Sequence, residues 1–396
     1  MSQSPGLPYL AGCYRHSGSP IVRGHGSRLV DSEGRSFLDM GSGVAVSALG
    51  HSHPALVKAI SEQAERVLHV SNLYRNPAVM DAASRIAEAS GFSRVFLCNS
   101  GAEAIEAALK LARRWFQVVR GENRSRFVCA EHSFHGRTFG ALSATGQPKY
   151  HKGFGPLIPG FSFVPYGDAE AVEAAIGPET AAILVEPLQG EGGVVVPPEG
   201  YLQRLRALAD ETGCLLIFDE IQTGVGRTGA FLAQHHEGVR ADIVTLAKGL
   251  AGGLPLGAMV HQEYLVEGLV PGTHASTFGG NPVCCAAAST VLEIVNKPEF
   301  LAGVWAKGEG IKERLREGLR GNPHIVSIRG KGLLIGIELD RPAADSVAGL
   351  FKRGVLATRA GQNVLRLSPP LVINPEEIEE GCAHVLDTLR EETGQV

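Results

Sequence analysis

One lysine of this sequence has the surroundings that chemistry on a carbonyl group requires. Lys248 follows the apolar run DIVTLA and precedes GLAGGLPLGA, a stretch with few polar side chains. Burial among such residues lowers the pKa of an ammonium group, and the neutral amine can form an imine with an aldehyde and later carry protons. The alternative is a lysine that reaches water from a loop, and Lys331, also between glycines, is the comparable rival.

Two further sites lie where strands are predicted to end. Asp219 ends the apolar run CLLIF, and ligands of parallel sheets bind outside the carboxyl ends of the strands. A carboxylate there can keep a pyridinium nitrogen protonated, so that a cofactor ring becomes an electron sink, although an aspartate that caps the next turn is the alternative. Asn99, Ser100 and Gly101 follow RVFLC and open a helical pattern, which indicates either an anion site or a plain N-cap.

Two patterns that are typical of other chemistry lack the context that they need. The segment 224–229, GVGRTG, matches the dinucleotide fingerprint, but DEIQT separates it from the strand and only weak helical signals follow. No metal-ligand spacing occurs among the paired histidines, which are His51/His53, His132/His135 and His235/His236. We therefore predict no dinucleotide site and no metal site, and we interpret these histidines as core or surface residues.

Short apolar runs alternate with helical patterns through the middle of the chain. The predicted strands are RVFLC (94–98), RFVCA (126–130), AAILVE (181–186), CLLIFD (214–219) and DIVTLA (242–247). Apolar residues spaced three and four apart predict helices over 102–116 and 199–212. This alternation predicts an α/β fold with a mostly parallel sheet that is flanked by helices.

The length of 396 residues favours two packed units over one. We predict a large domain over 51–285 and a small α+β domain over 286–396, in which a helix at 298–320 precedes three strands and a closing helix from Glu376. The segment 1–50, with a hairpin turn at 31–34, is too short to bury a core alone, and we expect it to pack with the small domain.

Composition narrows the class of partner. The net charge is −4, from 37 basic and 41 acidic residues, without a run of like charge, which favours small molecules over nucleic acid. No apolar stretch is long enough to span a membrane, and the N-terminus has no signal pattern. The seven cysteines are an odd number without a CxxC pair, so we expect reduced, buried thiols in a cytoplasmic protein.

Eight motifs in order resemble the class III (subgroup II) aminotransferases, of the pyridoxal 5′-phosphate (PLP)-dependent transferase fold type I, and most closely the acetylornithine aminotransferases. These motifs are NSGAEAIEAALKLAR, FHGRT, ILVEPLQGEGG, LLIFDEIQTGVGRTG, TLAKGLAGGLPLGA, THASTFGGNP, RGKGLLIGIEL and LRLSPPLVI. The resemblance covers nearly the whole chain. It implies a homodimer with shared active sites and a large domain with a mostly parallel sheet beside a small α+β domain.

The resemblance also implies a role for each matching residue. Around the cofactor ring, it implies Lys248 as the Schiff-base lysine, Asp219 on the pyridine nitrogen, Gln222 near the ring hydroxyl and Phe134 stacked on the ring. Around the phosphate, it implies Ser100, Gly101 and Ala102, with Thr277 reaching in from the second subunit. For the substrate, Arg137 matches the arginine that binds a carboxylate. Glu191 matches a gate residue that pairs with Arg366 and moves aside when a dicarboxylate binds.

The implied reaction is transfer of the terminal amine of N2-acetyl-L-ornithine to 2-oxoglutarate, in arginine biosynthesis. The stretch 41–54, GSGVAVSALGHSHP, lacks the tyrosine that ornithine aminotransferases carry near this point, which argues against free ornithine. Related ω-aminotransferases acting on succinylornithine, N-succinyldiaminopimelate or carrier-bound lysine share these motifs and stay open as alternatives. Action on ornithine or 4-aminobutyrate also stays open. From other classes, an NAD-dependent oxidoreductase and a non-catalytic binding protein are the disfavoured alternatives.

Overall fold

The structure is a computed structural model that describes residues 9–14 and 16–391. Of the predicted N-terminal segment, residues 1–8 and 15 lie outside the described residues, as do the last five residues of the chain. In chain order, the strands of the described part are β1 (Ile21–His25), β2 (Arg28–Asp31), β3 (Ser36–Asp39), β4 (Arg94–Cys98), β5 (Arg126–Ala130), β6 (Phe161–Val164), β7 (Thr180–Val185), β8 (Leu215–Asp219), β9 (Ile243–Leu246), β10 (Gly257–His261), β11 (Ile325–Lys331), β12 (Leu334–Leu339), β13 (Val355–Leu356), β14 (Thr358–Ala360) and β15 (Val364–Leu367).

Helices cover the strands and connect them. In chain order they are α1 (Ser42–Ala45), α2 (Pro54–Arg66), α3 (Pro77–Ser90), α4 (Gly101–Arg114), α5 (Phe139–Ala144), α6 (Pro148–His151), α7 (Ala169–Ala175), α8 (Tyr201–Thr212), α9 (Pro282–Val295), α10 (Pro298–Gly318), α11 (Ala344–Lys352) and α12 (Pro375–Glu391). Among the residues described, no helix is both long and apolar enough to cross a membrane.

A seven-stranded sheet forms the centre of the fold, in the order β4-β10-β9-β8-β7-β5-β6. The pairs β9–β8, β8–β7, β7–β5 and β5–β6 are parallel, whereas β10 runs antiparallel to both of its neighbours. Strand β4 therefore points the same way as β9. The carboxyl ends of β4, β9, β8, β7 and β5 consequently lie along one edge of the sheet, which is where ligands of parallel sheets bind.

The sequence patterns explain why these elements form. Every residue of β7, β8 and β9 is buried, as expected for apolar strands with helices on both faces. Helix α4 buries residues spaced three and four apart, including Ala104, Ile105, Ala108 and Leu111. The predicted α/β class with a mostly parallel sheet is confirmed.

Two smaller sheets contain the remaining strands. The strands β11, β12, β15 and β14 form an antiparallel sheet beside α10 and α11, and the N-terminal strands form a sheet of order β1-β2-β3-β13. Strand β3 pairs in parallel with β13, with Leu38 opposite Val355, so an N-terminal strand is bonded to the C-terminal part of the chain. The division at residues 50 and 285 stays a prediction.

Some elements differ from the sequence expectation. The helix predicted over 102–116 ends at Arg114 as α-helix, and a π-helical segment, Trp115–Arg120, continues it. The sequence does not predict strands β6 and β10, because glycine and proline are frequent in the stretches that lead into them. All seven cysteines are unpaired and six are buried, but Cys13 is exposed, which corrects the expectation that all of them are buried.

Candidate active site

Five chain segments deliver polar side chains to the same edge of the central sheet. Residues 99–102 follow β4, 132–137 follow β5, 186–191 follow β7, 219–222 end or follow β8, and Lys248 follows β9. Because these strands point the same way, the segments meet although they are far apart in the sequence. The edge therefore contains most of the residues that the sequence marked as candidates.

Asp219 is the buried carboxylate at the centre of this edge. It is 3% exposed, and its Oδ2 lies 2.7 Å from Nδ1 of His135, which is itself buried. Its Oδ1 accepts hydrogen bonds from the amide of Ile221 at 3.0 Å and the hydroxyl of Thr245 at 3.2 Å. Three donors thus hold the carboxylate in one orientation, as a carboxylate that serves a cofactor ring requires.

Glu186 is a second buried carboxylate beside His135. It accepts hydrogen bonds from the amides of Phe134 at 3.2 Å and Gly190 at 3.1 Å. Burial raises the pKa of Glu186 to about 7, an effect that the charge of His135 opposes and that of Asp219 reinforces. The buried Nε2 atom of His135 has no hydrogen-bond partner among the described residues. His135 therefore lies close to two buried acidic side chains, Asp219 and Glu186.

Lys248 begins a 3-10 turn, Lys248–Ala251, directly after β9. Its backbone φ is 45°, in the left-handed region that a non-glycine residue adopts only when its surroundings enforce it. Burial lowers the pKa of its ammonium group to about 8, and the charge of Glu191 opposes this shift. A much larger share of this amine is therefore neutral near physiological pH than in an exposed lysine, as the sequence predicted.

Glu191 and Arg366 form an ion pair next to Lys248. Arg366 is 2% exposed, and its Nη1 donates to Oε1 of Glu191 at 2.5 Å and to Oε1 of Gln222 at 2.9 Å. Gln222 in turn donates from Nε2 to Glu191 at 3.2 Å, and Thr358 accepts from Nε of Arg366 at 3.0 Å. Burial alone would raise the pKa of Glu191, but the positive charges of Arg366 and Lys248 hold it below its usual value.

Side-chain hydrogen bonds of Ser100 and Glu103 cap the N-terminus of α4. The Ser100 hydroxyl accepts from the amide of Glu103 at 3.2 Å, while the Glu103 carboxylate accepts from the amide of Asn99 at 2.7 Å. Gly101 and Ala102 begin the helix, and the first amides of a helix have no intrahelical partner. Ser100 is thus an N-cap, as one of the two interpretations predicted. The amides of Gly101 and Ala102 remain available to an anion.

Glycines let the surrounding segments approach this helix end closely. A Cβ atom on Gly101 would lie 2.7 Å from the Ile221 side chain, and one on Gly136 would lie 2.7 Å from Cβ of Ala102. A Cβ atom on Gly190 would lie 2.5 Å from the Gln222 side chain. A larger residue at any of these positions would push the segments apart.

Phe134 and Arg137 extend from the segment after β5. Phe134 is half-buried, and Arg137 is exposed. The guanidinium carbon of Arg137 lies 5.6 Å from the Phe134 ring centroid and 3.9 Å from that of Tyr150, a residue on α6. Arg137 forms no hydrogen bond or ion pair with the part of the chain that the structure describes, so its N–H groups are available to a ligand.

Thr277 forms no hydrogen bond with the other site residues in the described part of its own chain. It is exposed on a turn whose neighbour Ser276 accepts from the Asn99 side chain at 3.1 Å. Its predicted role is to reach into the active site of a second subunit. The structure of one chain does not test this role, which stays a prediction.

The structure adds His135 and Glu186 to the residues marked from the sequence. Both lie inside motifs that the sequence analysis singled out, FHGRT and ILVEPLQGEGG. His135 is a core histidine, as expected, but burial pattern alone does not reveal that it contacts Asp219. The segment 224–229 is a series of turns in which Arg227 is buried and donates to the carbonyls of Leu333 and Pro369, an internal structural role.

Comparison with known proteins gives one consistent result. The family model "Aminotransferase class-III" matches residues 11–389. An acetylornithine aminotransferase from Caldanaerobacter subterraneus subsp. tengcongensis is 47% identical over 97% of this chain and 98% of its own length. A succinylornithine transaminase/acetylornithine aminotransferase from Pseudomonas aeruginosa is 45% identical over 94% of this chain and 93% of its own length.

Solved structures agree with the sequence relatives. The ornithine aminotransferase from Toxoplasma gondii ME49 superposes with a TM-score of 0.94 at 36% identity, over 98% of this chain and 94% of that one. Both the family match and the near-complete coverage exceed what a shared fold alone would give. Together with the buried aspartate and the low-pKa lysine at one sheet edge, they establish that the chain belongs to the class-III aminotransferases.

Proposed function

We propose that this enzyme transfers the terminal amino group of N2-acetyl-L-ornithine to 2-oxoglutarate. The products are N-acetyl-L-glutamate 5-semialdehyde and L-glutamate, and the step belongs to arginine biosynthesis in the cytoplasm. The observation that carries the proposal is the Glu191–Arg366 ion pair beside Lys248, together with an Arg137 that forms no ion pair among the described residues. The names of the relatives at 47% and 45% identity support the choice of an acylated ornithine.

The residues at the sheet edge fit PLP, on which this class of aminotransferase depends. A buried carboxylate suits a protonated ring nitrogen, the free amides of α4 suit a phosphate, and a lysine with a lowered pKa suits an aldehyde. Asp219, Gln222, Phe134, Lys248 and residues 100–102 would hold the group. When bound, it supplies an electron sink for the bonds at the amine-bearing carbon.

The protein's own groups would orient the reactants and move one proton. The Nζ atom of Lys248 would remove the proton from the substrate carbon that bears the transferred amine, and would carry it to the carbon that receives the amino group. His135 would hold the Asp219 carboxylate in place through its 2.7 Å contact. Because Glu191 lies close enough to raise the pKa of Lys248, its displacement would favour the neutral amine.

Selectivity would come from the two arginines. Arg137 would bind the carboxylate of acetylornithine in a bidentate fashion, while Glu191 keeps Arg366 neutralised. When 2-oxoglutarate enters, its second carboxylate would displace Glu191 and pair with Arg366. One pocket could thereby accept an uncharged acyl group in one half reaction and a dicarboxylate in the other.

We further infer a homodimer in which Thr277 contributes to the partner's site. An apolar patch, made of Leu68, Leu73, Tyr74 and Phe278, is 60–86% exposed. Its two segments are bonded to each other, since Asn72 donates to two carbonyls of 276–279 and Asn281 donates to the Leu68 carbonyl. An exposed apolar patch next to Thr277 supports a subunit contact there.

The first half reaction tests the substrate. Addition of N2-acetyl-L-ornithine to the PLP-loaded enzyme, without a keto acid, is expected to shift the cofactor absorbance between 300 and 500 nm. Lys248→Ala should abolish turnover. A response to N2-succinyl-L-ornithine or ornithine, but not to acetylornithine, would keep the chemistry and replace the substrate. No cofactor band after incubation with PLP would contradict the whole proposal.

A further inference from the structure

A short helix near the site is anchored at both ends. Gln147, which precedes α6, donates from Nε2 to two carbonyls of the segment 132–133 at 3.1 and 3.0 Å. His151, the last residue of α6, places its Nε2 atom 2.8 and 3.1 Å from two carbonyls at the end of α5. One end of α6 is therefore fixed to residues 132–133, directly before Phe134, and the other end is fixed to the end of α5.

Tyr150 lies between these anchors, and its ring contacts both Phe134 and Arg137. The guanidinium carbon of Arg137 is 3.9 Å from the ring centroid, which is van der Waals contact with a ring face. The Phe134 ring meets the same ring edge-on, at 5.7 Å and 80°. Tyr150 is half-buried, and Lys149 places its ammonium group 4.7 Å from the ring centroid. One fixed ring thus contacts the predicted cofactor-stacking residue and the predicted carboxylate-binding residue.

The contact matters because Arg137 forms no hydrogen bond or ion pair within the described chain, and its other ring contact, with Phe134, is longer at 5.6 Å. A long, exposed guanidinium that forms no hydrogen bond loses much side-chain entropy when it binds a ligand. A guanidinium that is stacked on a ring keeps its N–H edges available for a carboxylate while its orientation is already restricted. Since Tyr150 also abuts Phe134, it defines the position of Arg137 relative to the reacting centre.

We propose that Tyr150 is a positioning residue that pre-orients Arg137 for the carboxylate of the substrate. The inference rests on the proposed function, because it assigns carboxylate binding to Arg137. Tyr150 itself takes no part in proton transfer. Its effect is therefore expected on substrate binding and not on the rate of the bound complex.

Steady-state kinetics of the PLP-loaded enzyme test this role. Tyr150→Leu removes the aromatic face and is expected to raise the KM for acetylornithine about tenfold, with kcat within about twofold, since a cation–π contact is worth about a factor of ten at a partly desolvated site. Tyr150→Phe keeps the face and should leave the KM within about twofold. Lys149→Leu is a matched control because it removes the other cation on this ring, and it should change little.

A double-mutant cycle separates positioning from general damage. In an Arg137→Met background, Tyr150→Leu should raise the KM by less than about twofold, because the group that it positions is gone. Cofactor absorbance at saturation should equal that of the parent in every variant. An unchanged KM in Tyr150→Leu, an undiminished effect in the Arg137→Met background, or a parallel loss of kcat and bound cofactor would each overturn the proposal.

The two proposals fail in different ways. If the parent enzyme does not accept acetylornithine, the substrate assignment fails. The same variants are then compared with the carboxylate-bearing amine that the parent does accept, because the Tyr150 role concerns the carboxylate and not the acyl group. If the parent accepts acetylornithine and Tyr150→Leu behaves like the parent, only the positioning role fails.

Discussion

At the scale of single residues, the fold changes the chemistry of Lys248 more than its sequence neighbours reveal. The pKa of about 8 results mainly from burial, because loss of hydration destabilises the ammonium form. The sequence predicted the direction, since the flanking stretch is apolar. It could not predict that Glu191, which lies in the segment after β7, raises the pKa and limits the shift.

This pKa gives a testable pH dependence. The rate at which cofactor-free protein takes up PLP should rise with pH, because only the neutral amine attacks an aldehyde, and should level off above about pH 9, once pH exceeds a pKa of about 8. Stopped-flow absorbance between pH 6.5 and 10 measures the rate. A rate that still climbs tenfold per pH unit beyond pH 9 would indicate an ordinary lysine.

Other residues of the site show where reasoning from sequence stops. Asp219 could be predicted because it ends an apolar run, and Ser100 because it opens a helix. His135 and Tyr150 could not, because their importance depends on contacts with Asp219 and Arg137 that only the folded chain creates. Periodicity identifies the buried face of an element, but it does not identify the side chain opposite.

At the scale of elements, α1 is an unusual turn. Its residues, Ser42–Ala45, have φ angles of 48°, 57°, 68° and 62°, so the turn is left-handed although only one residue is glycine. Asp39 holds its start through hydrogen bonds to the amides of Gly41 at 3.0 Å and Ser42 at 2.7 Å. Left-handed conformations of branched residues cost about 1–3 kcal/mol each, so the surrounding structure must enforce this turn.

Two half-buried valines test that strain. Val44 has a φ of 68°, whereas Val46 has a φ of −96°. Val44→Gly relieves strain while it removes a side chain, but Val46→Gly only removes a side chain and adds backbone freedom. We expect both substitutions to lower the free energy of unfolding. The loss for Val44→Gly should be smaller than the loss for Val46→Gly, by at least about 1 kcal/mol. Urea denaturation compares them, and equal losses would show that the turn stores no strain.

At the scale of the whole molecule, the apolar patch of Leu68, Leu73, Tyr74 and Phe278 predicts the oligomeric state. Phe278→Asp introduces a charge into the proposed subunit contact and should shift the protein toward monomer in sedimentation velocity, with loss of activity because Thr277 no longer reaches the partner's site. Val326→Asp, at a valine on β11 that is 60% exposed, is the matched control. A Phe278→Asp variant that remains dimeric and active would contradict this contact.

The fold class could be predicted from the sequence more completely than the pairing of the strands. Five strands of the central sheet follow from short apolar runs between helices, so the α/β class could be predicted. The antiparallel β10 and the parallel pair of β3 with β13 could not, because both depend on partners distant in sequence. A sequence pattern specifies which segments are strands, but the neighbour of each strand is decided by the packing of the complete chain.

The pairing of β3 with β13 also imposes an order on biosynthesis. Leu38 leaves the ribosome early, but its partner Val355 is added near the end of translation, which at about 5–20 residues per second is on the order of tens of seconds later. Throughout that interval the free edge of β3 is exposed on the nascent chain, and exposed strand edges attract other chains. Premature termination before residue 355 would leave that edge permanently open, which makes truncated translation products of this protein prone to aggregate.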